Sequence, residues 1–409
     1  MSNQIETGKQ IDLSRLLRFN VRNISWLPCL MIFAVVVNVS VDINVLELSL
    51  LSYLTLAIAL LSFAFMSFLY FRQGMASWFV LVAAAFELFL LTFTILNGND
   101  VKSCFYQACS VAFIVMACDY YKDRYHMLLS AFAVAFSICV YLNFFHLMSH
   151  PDLWLIEDTK SIRGYLLGGN YNQMGARLLC AVGLSVACLH YSKWWFLNTI
   201  PVIMVSIVTL VIVGSMTSLT GIIVFLLLCL IPSRQLLRIG ILSLVGATIL
   251  FQIFVCFQGN GIGQSTLAVY FIEEVLGKDI TFTNRTYLWD AASKVVMESP
   301  FFGYGYVNGD WYFSHMSSLA IGPHNYIWNV LINGGVILLA LFTYICYLVY
   351  SKLPFIKERN ILNIIALISV MFLMMTMESY PTEFIFILLS LVYFASYTMP
   401  EQISVTTAS

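Results

Sequence analysis

Residues 283–335 hold the side chains best suited to chemistry. Arg285, the one arginine of the stretch, opens a short amphipathic segment, and His324 stands at the mouth of a long apolar one. His324 follows Gly322-Pro323, which predicts a helix whose first position is the proline, where a missing N–H costs nothing. The positive end of a helix dipole opposes a charged ring, so the position suits a general base that takes a proton from a hydroxyl. An interfacial histidine bonded to a loop carbonyl is the alternative. A guanidinium forks two donors onto phosphate oxygens. Arg285, together with Arg163 or Arg177, is therefore a candidate for holding a lipid diphosphate, against pairing with lipid headgroups or with acids such as Glu157, Asp158 and Glu274. Asn325, Asn329 and Asn333 recur at steps of four behind His324, a polar stripe that either lines a wet cavity or bonds to neighbouring helices. Trp328 is either a face for stacking a sugar or an interfacial anchor.

The elements that must position these groups are almost all apolar. Hydrophobic residues make up 60% of the chain and charged ones 10%, with a mean hydropathy of +0.87, which places it among integral membrane proteins. About 20 apolar residues cross a bilayer, and that criterion gives twelve stretches: 25–42, 48–70, 77–96, 103–120, 126–147, 172–190, 195–214, 217–232, 236–256, 324–349, 360–378 and 383–399. The polar first 22 residues carry Lys9, Arg15, Arg18 and Arg22 with no small-residue cleavage site before the first apolar run, which predicts a retained span. With that end inside, Arg72, Lys122, Arg124, Lys193, Arg234, Arg238, Lys352, Lys357 and Arg359 fall on the same side, as the positive-inside rule requires. Two larger loops, 148–171 and 257–323, then lie outside. The second holds a helix capped by Thr283 or Asn284, with Leu288, Ala292, Val295 and Val296 on one face and a stop near Ser299 before Pro300. Gly303 and Gly305 permit a tight turn after it. The fold expected is all-α, a single integral membrane domain over 1–409 with an outer loop at 257–323 that carries short helices.

Several classes are excluded. No phosphate-binding glycine loop precedes a helix inside, no basic patch points to nucleic acid, and no paired-histidine or Asp-rich constellation supports a metal. The ten cysteines lie in or beside apolar spans and read as small core residues. Glu87, in mid-span, is costly in hydrocarbon and is expected to be a protonated or helix-bonded glutamate. Glu378 and Glu383, flanking Tyr380-Pro381, are expected to be solvated in an outer turn.

The order of these pieces resembles the O-antigen polymerase and O-antigen ligase superfamily: an arginine and aromatic helix, Ser299-Pro300-Phe301-Phe302-Gly303-Tyr304-Gly305, a polar loop, then Pro323-His324-Asn325 with Gly334-Gly335 beyond. Gly169-Asn170-Tyr171-Asn172-Gln173 is similar to a Gly-Asn-Pro-Asn element of that family, with Tyr171 in place of proline. Ser218-Leu219-Thr220-Gly221 matches a Ser-Arg-Thr-Gly turn but lacks its arginine, which moves the expected phosphate role to Arg163 and Arg177. The resemblance implies transfer of a glycan from an undecaprenyl diphosphate carrier on the periplasmic face of a bacterial inner membrane, without metal, cofactor or nucleotide sugar. Membrane lipids and a chain-length regulator are the partners it implies, beside a lipid-linked donor and acceptor. It implies His324 and Arg285 as catalytic, and Arg163, Arg177, Asn170, Asn172, Tyr304, Asn325 and Trp328 as substrate-binding. A polymerase extending surface polysaccharide is the expected activity, a ligase acting on lipid A–core the nearest rival. A transporter is the rival of another class, which the scarcity of midplane ionisable groups disfavours.

Overall fold

The computed structural model describes residues 26–46, 48–74, 76–155, 165–168, 171–259, 261, 270, 284–316 and 322–395. Arg163 and Asn170 lie outside the described residues, as do the acids Glu157, Asp158 and Glu274. The described residues form helices and no strand, since a chain this apolar must satisfy its backbone polar groups within each segment. Each of the twelve apolar stretches holds one helix: α1 (Trp26–Ser40), α2 (Ser49–Gln73), α3 (Trp78–Leu96), α4 (Val101–Tyr120), α5 (Tyr125–Ser149), α6 (Met174–Cys188), α7 (Phe196–Val213), α8 (Met216–Leu230), α9 (Arg234–Phe251), α12 (Tyr326–Tyr350), α13 (Arg359–Met375) and α14 (Thr382–Ala395). Between α9 and α12 stand two polar helices, α10 (Arg285–Glu298) and α11 (Gly309–His315). Among the described residues, seven helices are long and apolar enough to cross a membrane, while α1, α6, α8, α13 and α14 are shorter.

Three of the shorter helices lie in the middle of the bundle. Every residue of α6 and of α14 is buried, and so is nearly all of α13, the condition in which a helix is apolar all round. Small residues let these helices approach closely: a Cβ on Gly183 would meet Leu367 at 2.4 Å, and one on Gly221 would meet the Met374 sulfur at 2.3 Å. The outer helices instead expose one apolar face, as Leu236, Ile239 and Leu242 do on α9. All ten cysteines are free thiols, buried or half-buried. Glu87 has a partner on the next helix, Gln107, whose amide donates to both carboxylate oxygens at 3.3 and 3.4 Å.

The basic residues mark one end of the bundle. Arg238 donates to the Ile356 carbonyl and Arg359 to those of Cys229 and Pro232, tying the α8–α9 turn to the start of α13. The other ends of α9 and α13 meet the start of α12, where Asn325 bonds to Gln252 and to the Thr376 carbonyl. A full helix length therefore separates the basic end from His324.

The helix behind His324 departs from expectation twice. It starts at Tyr326, with Asn325 rather than Pro323 at its edge: the Asn325 side chain accepts from Trp328 N–H at 3.0 Å. It is also broken at Gly335, where φ is 61° and ψ −161°. The loop Pro300–Gly305 fills the break. Tyr304 N–H donates to the Ile332 carbonyl and Gly305 N–H to that of Asn333, while Val336 N–H donates to the Pro300 carbonyl. Gly303 and Gly335 have positive φ, and a Cβ on either would meet backbone at 2.5 and 2.3 Å. We expect Gly335→Ala and Gly303→Ala each to cost at least about 1–3 kcal/mol from the forced backbone alone, read as a lower unfolding temperature of the purified protein in detergent. Gly246→Ala, at an α9 position where a Cβ meets nothing, is expected to leave that temperature unchanged or raised.

Candidate active site at the head of the broken helix

His324 precedes the α12 cap with φ 46°, a left-handed conformation that an ordinary side chain adopts only where its surroundings hold it. Glu378 supplies part of that hold. This residue follows the end of α13 and is buried, and both its oxygens lie at hydrogen-bond distance from His324 Nδ1, 3.0 and 3.1 Å. The same carboxylate faces Arg285 from the other side, with Nη2 3.8 Å from Oε2. Arg285 is the first residue of α10, and Asn284 before it has φ 65°, which turns the chain into the helix. The two sequence candidates are thus joined through a third group, which had been expected to be solvated. Buried polar groups are retained where they have hydrogen-bonding or charged partners, and this acid has two.

Glu378 stands between two openings. On the His324 side lies a polar cavity of about 580 Å³, bounded by α3, α4, α12, the 306–309 turn and the residues 378–383 that lead into α14. Tyr306 and Tyr312 face it, and burial pushes both phenols well above their ordinary range, as it does Tyr380, where Glu378 adds to the effect. They remain protonated donors at any physiological pH. On the Arg285 side lies a mainly apolar crevice of about 350 Å³ between α8 and the end of α13, lined by Met216, Thr217, Thr220, Gly221 and Met374. Met216 at its rim is 58% exposed, so the crevice opens on the outside of the bundle. The turn that lacks the resembling family's arginine at Leu219 therefore does have a guanidinium beside it, from Arg285.

Other candidates are placed elsewhere. Asn325 is fully buried, its amide committed to Gln252, Thr376 and the helix cap, so it does not face a substrate. Trp328 is buried with its N–H on the Cys256 carbonyl and its ring against Phe257, which makes it a packing residue rather than a sugar platform. The Tyr304 hydroxyl turns to α10, donating to Val295 O and Glu298. Arg177 is buried in α6 beneath the Phe384 ring and donates to the Gln173 carbonyl; it opens on a separate small cavity with Asn38 and Asp42 rather than on the Arg285 crevice. Asn172 accepts from Ser215. Of the polar stripe, Asn325 bonds to neighbouring helices whereas Asn329 and Asn333 line the cavity.

Glu378 and Glu383, which the sequence suggests are solvated, are both buried, and the sequence reading assigns neither a role. A signal was present for Glu378: an acid just past the C-terminal end of an apolar helix opposes the dipole, and it lies at the same end of the bundle as Arg285. The burial pattern is testable by cysteine labelling in a background freed of native thiols. His324→Cys is expected to react with a water-soluble maleimide and Asn325→Cys to stay unlabelled.

Residues 201–343, about a third of the chain, match the family described as O-antigen ligase. No curated protein and no solved structure matches the chain. The matched stretch runs from α7 into α12 and contains Arg285, His324, the 300–305 loop and the break at Gly335, but ends before Glu378. Over those residues the chain is similar to the O-antigen ligase family, in keeping with the resemblance to the O-antigen polymerase and ligase superfamily.

Proposed function

We propose that this multi-pass membrane protein is a glycosyltransferase that polymerises a surface polysaccharide, moving a growing glycan from a polyprenyl diphosphate carrier onto the next lipid-linked repeat unit. The observation that carries this reading is Glu378, which joins a histidine facing a polar cavity to an arginine facing a mainly apolar crevice that opens on the outside of the bundle. A lipid-borne donor needs that juxtaposition. Its hydrocarbon stays outside the bundle, its diphosphate meets the guanidinium, and its sugars enter the polar space.

In this reaction the acceptor hydroxyl oxygen bonds to the anomeric carbon of the donor while the bond from that carbon to the diphosphate oxygen breaks. The hydroxyl proton passes to His324, and polyprenyl diphosphate leaves with the bonding pair. Glu378 accepts at Nδ1, which leaves Nε2 as the basic nitrogen and fixes the ring plane. Arg285 stabilises the negative charge that grows on the leaving diphosphate. A sugar hydroxyl is far less acidic than an imidazolium, so proton transfer accompanies bond formation and contributes on the order of 10²–10⁴ in rate. The basic end of the bundle lies in the cytoplasm under the positive-inside rule, all twelve apolar helices cross, and the site faces the periplasm of the inner membrane.

The family description favours a second reading, a ligase that passes the glycan to lipid A–core with the same machinery. Deletion separates the two: loss of a polymerase leaves single repeat units on lipid A–core, and loss of a ligase leaves none. His324→Ala and Arg285→Ala are each expected to abolish long-chain glycan on a gel of surface polysaccharide while the protein remains at its normal level. Glu378→Gln, which loses the charge but keeps the shape, is expected to reduce polymer without eliminating it. Full-length polymer from His324→Ala would remove the proton-transfer step.

A further inference from the structure

The basic end of the bundle holds a recess that plays no part in the chemistry at the opposite end. It lies between the first turn of α9 and the connector from α12 to α13, and Arg234, Arg238 and Lys357 stand in its walls beside Gln235 and Phe355. No acid is among its described walls. Arg234 and Lys357 are exposed, and among the described residues neither is in an ion pair. Arg238 spends one donor on the Ile356 carbonyl. A guanidinium has five donors and keeps its charge, so that bond fixes the cation without neutralising it. The neighbouring ions are engaged elsewhere: Arg359 on the carbonyls of Cys229 and Pro232, and Glu358 beside the Tyr191 phenol. Three like charges around one space repel each other, and an anion among them turns that repulsion into attraction.

Beyond the recess, along the same helices, runs a mainly apolar groove of about 460 Å³, walled by Val245 and Ile249 of α9, Cys346 and Tyr350 of α12 and Phe372 of α13. Arg234, Arg238, Val245 and Ile249 follow at steps of four, seven and four, which puts recess and groove on one face of α9. On the other wall Tyr350 of the groove comes four residues before Pro354 of the recess. Ile249 and Tyr347 at the rim are exposed, so the groove opens on the outside of the bundle. At 1.5 Å per residue the rise from Arg238 to Ile249 is about 16 Å, close to the roughly 15 Å that one leaflet contributes to the hydrocarbon of a bilayer.

We infer that recess and groove together seat one anionic phospholipid of the leaflet at the basic end, its phosphate among Arg234, Arg238 and Lys357 and one acyl chain in the groove between α9 and α12. Charge selects the head. Three cations without an acid suit a phosphate, and they offer nothing to the ammonium of a zwitterionic lipid. Length and polarity select the chain, because the groove begins where the recess ends and is as long as one leaflet is deep. The lipid joins α9 to the connector of α12 and α13, the same helices that at their other ends hold Asn325 through Gln252 and the Thr376 carbonyl. It steadies the junction behind His324 from the far side of the bundle. The inference goes beyond the polymerase reading and is independent of it, since it concerns a lipid that is not consumed.

Native mass spectrometry of the purified full-length protein in detergent tests this, with phosphatidylglycerol as probe, phosphatidylcholine as the zwitterionic control and inorganic phosphate as the head alone. The native protein is expected to bind phosphatidylglycerol at least about tenfold more tightly than phosphatidylcholine. Arg234→Gln combined with Lys357→Gln is expected to lose most of that preference, at about fivefold for each cation removed. Both positions are exposed, so the fold is kept. Arg72→Gln combined with Lys193→Gln removes two cations of the same end outside the recess and is expected to leave the preference intact. Equal affinity for the two lipids, or an equal loss in both double variants, overturns the site and leaves only the general attraction of a basic surface. Val245→Trp, which fills the groove next to the recess, is expected to weaken phosphatidylglycerol binding, and unchanged binding overturns the seat of the chain. Should Val245→Trp not fold, dihexanoyl phosphatidylglycerol, with chains too short to fill the groove, replaces it, and affinity equal to that of the long-chain lipid overturns the seat. Displacement of the lipid by millimolar inorganic phosphate overturns the lipid as ligand and assigns the recess to a free anion.

Discussion

The structure depends on a helix that is deliberately incomplete. Breaking α12 at Gly335 frees the carbonyls of Ile332 and Asn333 and the N–H of Val336 in the interior of an apolar bundle, where unpaired backbone groups are expensive. The loop Pro300–Gly305 supplies a partner to each of them. It is tied in turn to the α3–α4 corner, through Tyr306 N–H on the Thr94 hydroxyl and Asn99 on the Tyr304 carbonyl. Phe302 stacks on Phe93 at the same corner. The polar outer segment is therefore stitched to the membrane helices by backbone, and α10 is delivered to the start of α12 with little freedom.

That stitching explains why chemistry can be assembled from residues so far apart in the chain. Arg285 comes from α10, His324 from the turn before α12, and Glu378 from the end of α13. A short π-helical turn, Gln252–Cys256, extends α9 into the same junction, where Gln252 binds Asn325, and Cys256 binds Trp328 through its carbonyl. Asn325 and Trp328 hold the junction closed behind the histidine. Their burial is what makes the position of His324 definite, and for that reason they are not themselves available to a sugar.

The division between a polar cavity and an apolar crevice is also a division of solvents. Under the proposed function the lipid diphosphate would sit at the boundary between the two and the sugars on the polar side. The cluster around Glu378 sits at that boundary, where a charge retains one polar neighbour space while its pairings are strengthened by the apolar side. The outer helices with their exposed apolar faces and the buried α6, α13 and α14 frame this boundary without taking part in it.

The sequence by itself determined the all-helical class, the twelve apolar segments and the polar stretch that carries Arg285 and His324, because hydropathy is a local property summed along the chain. It also located the stop at Ser299 and the importance of the glycines at 303, 305, 334 and 335, though not that they join in a single backbone splice. Tertiary structure alone decided that Glu378 is buried between Arg285 and His324, that Asn325 and Trp328 face the packing rather than the cavity, and that Arg177 lies under Phe384 away from the crevice. Each of these depends on which side chain meets which across 50 or more positions of chain, as in His324 with Glu378, and helical periodicity gives a residue's face without naming its neighbour.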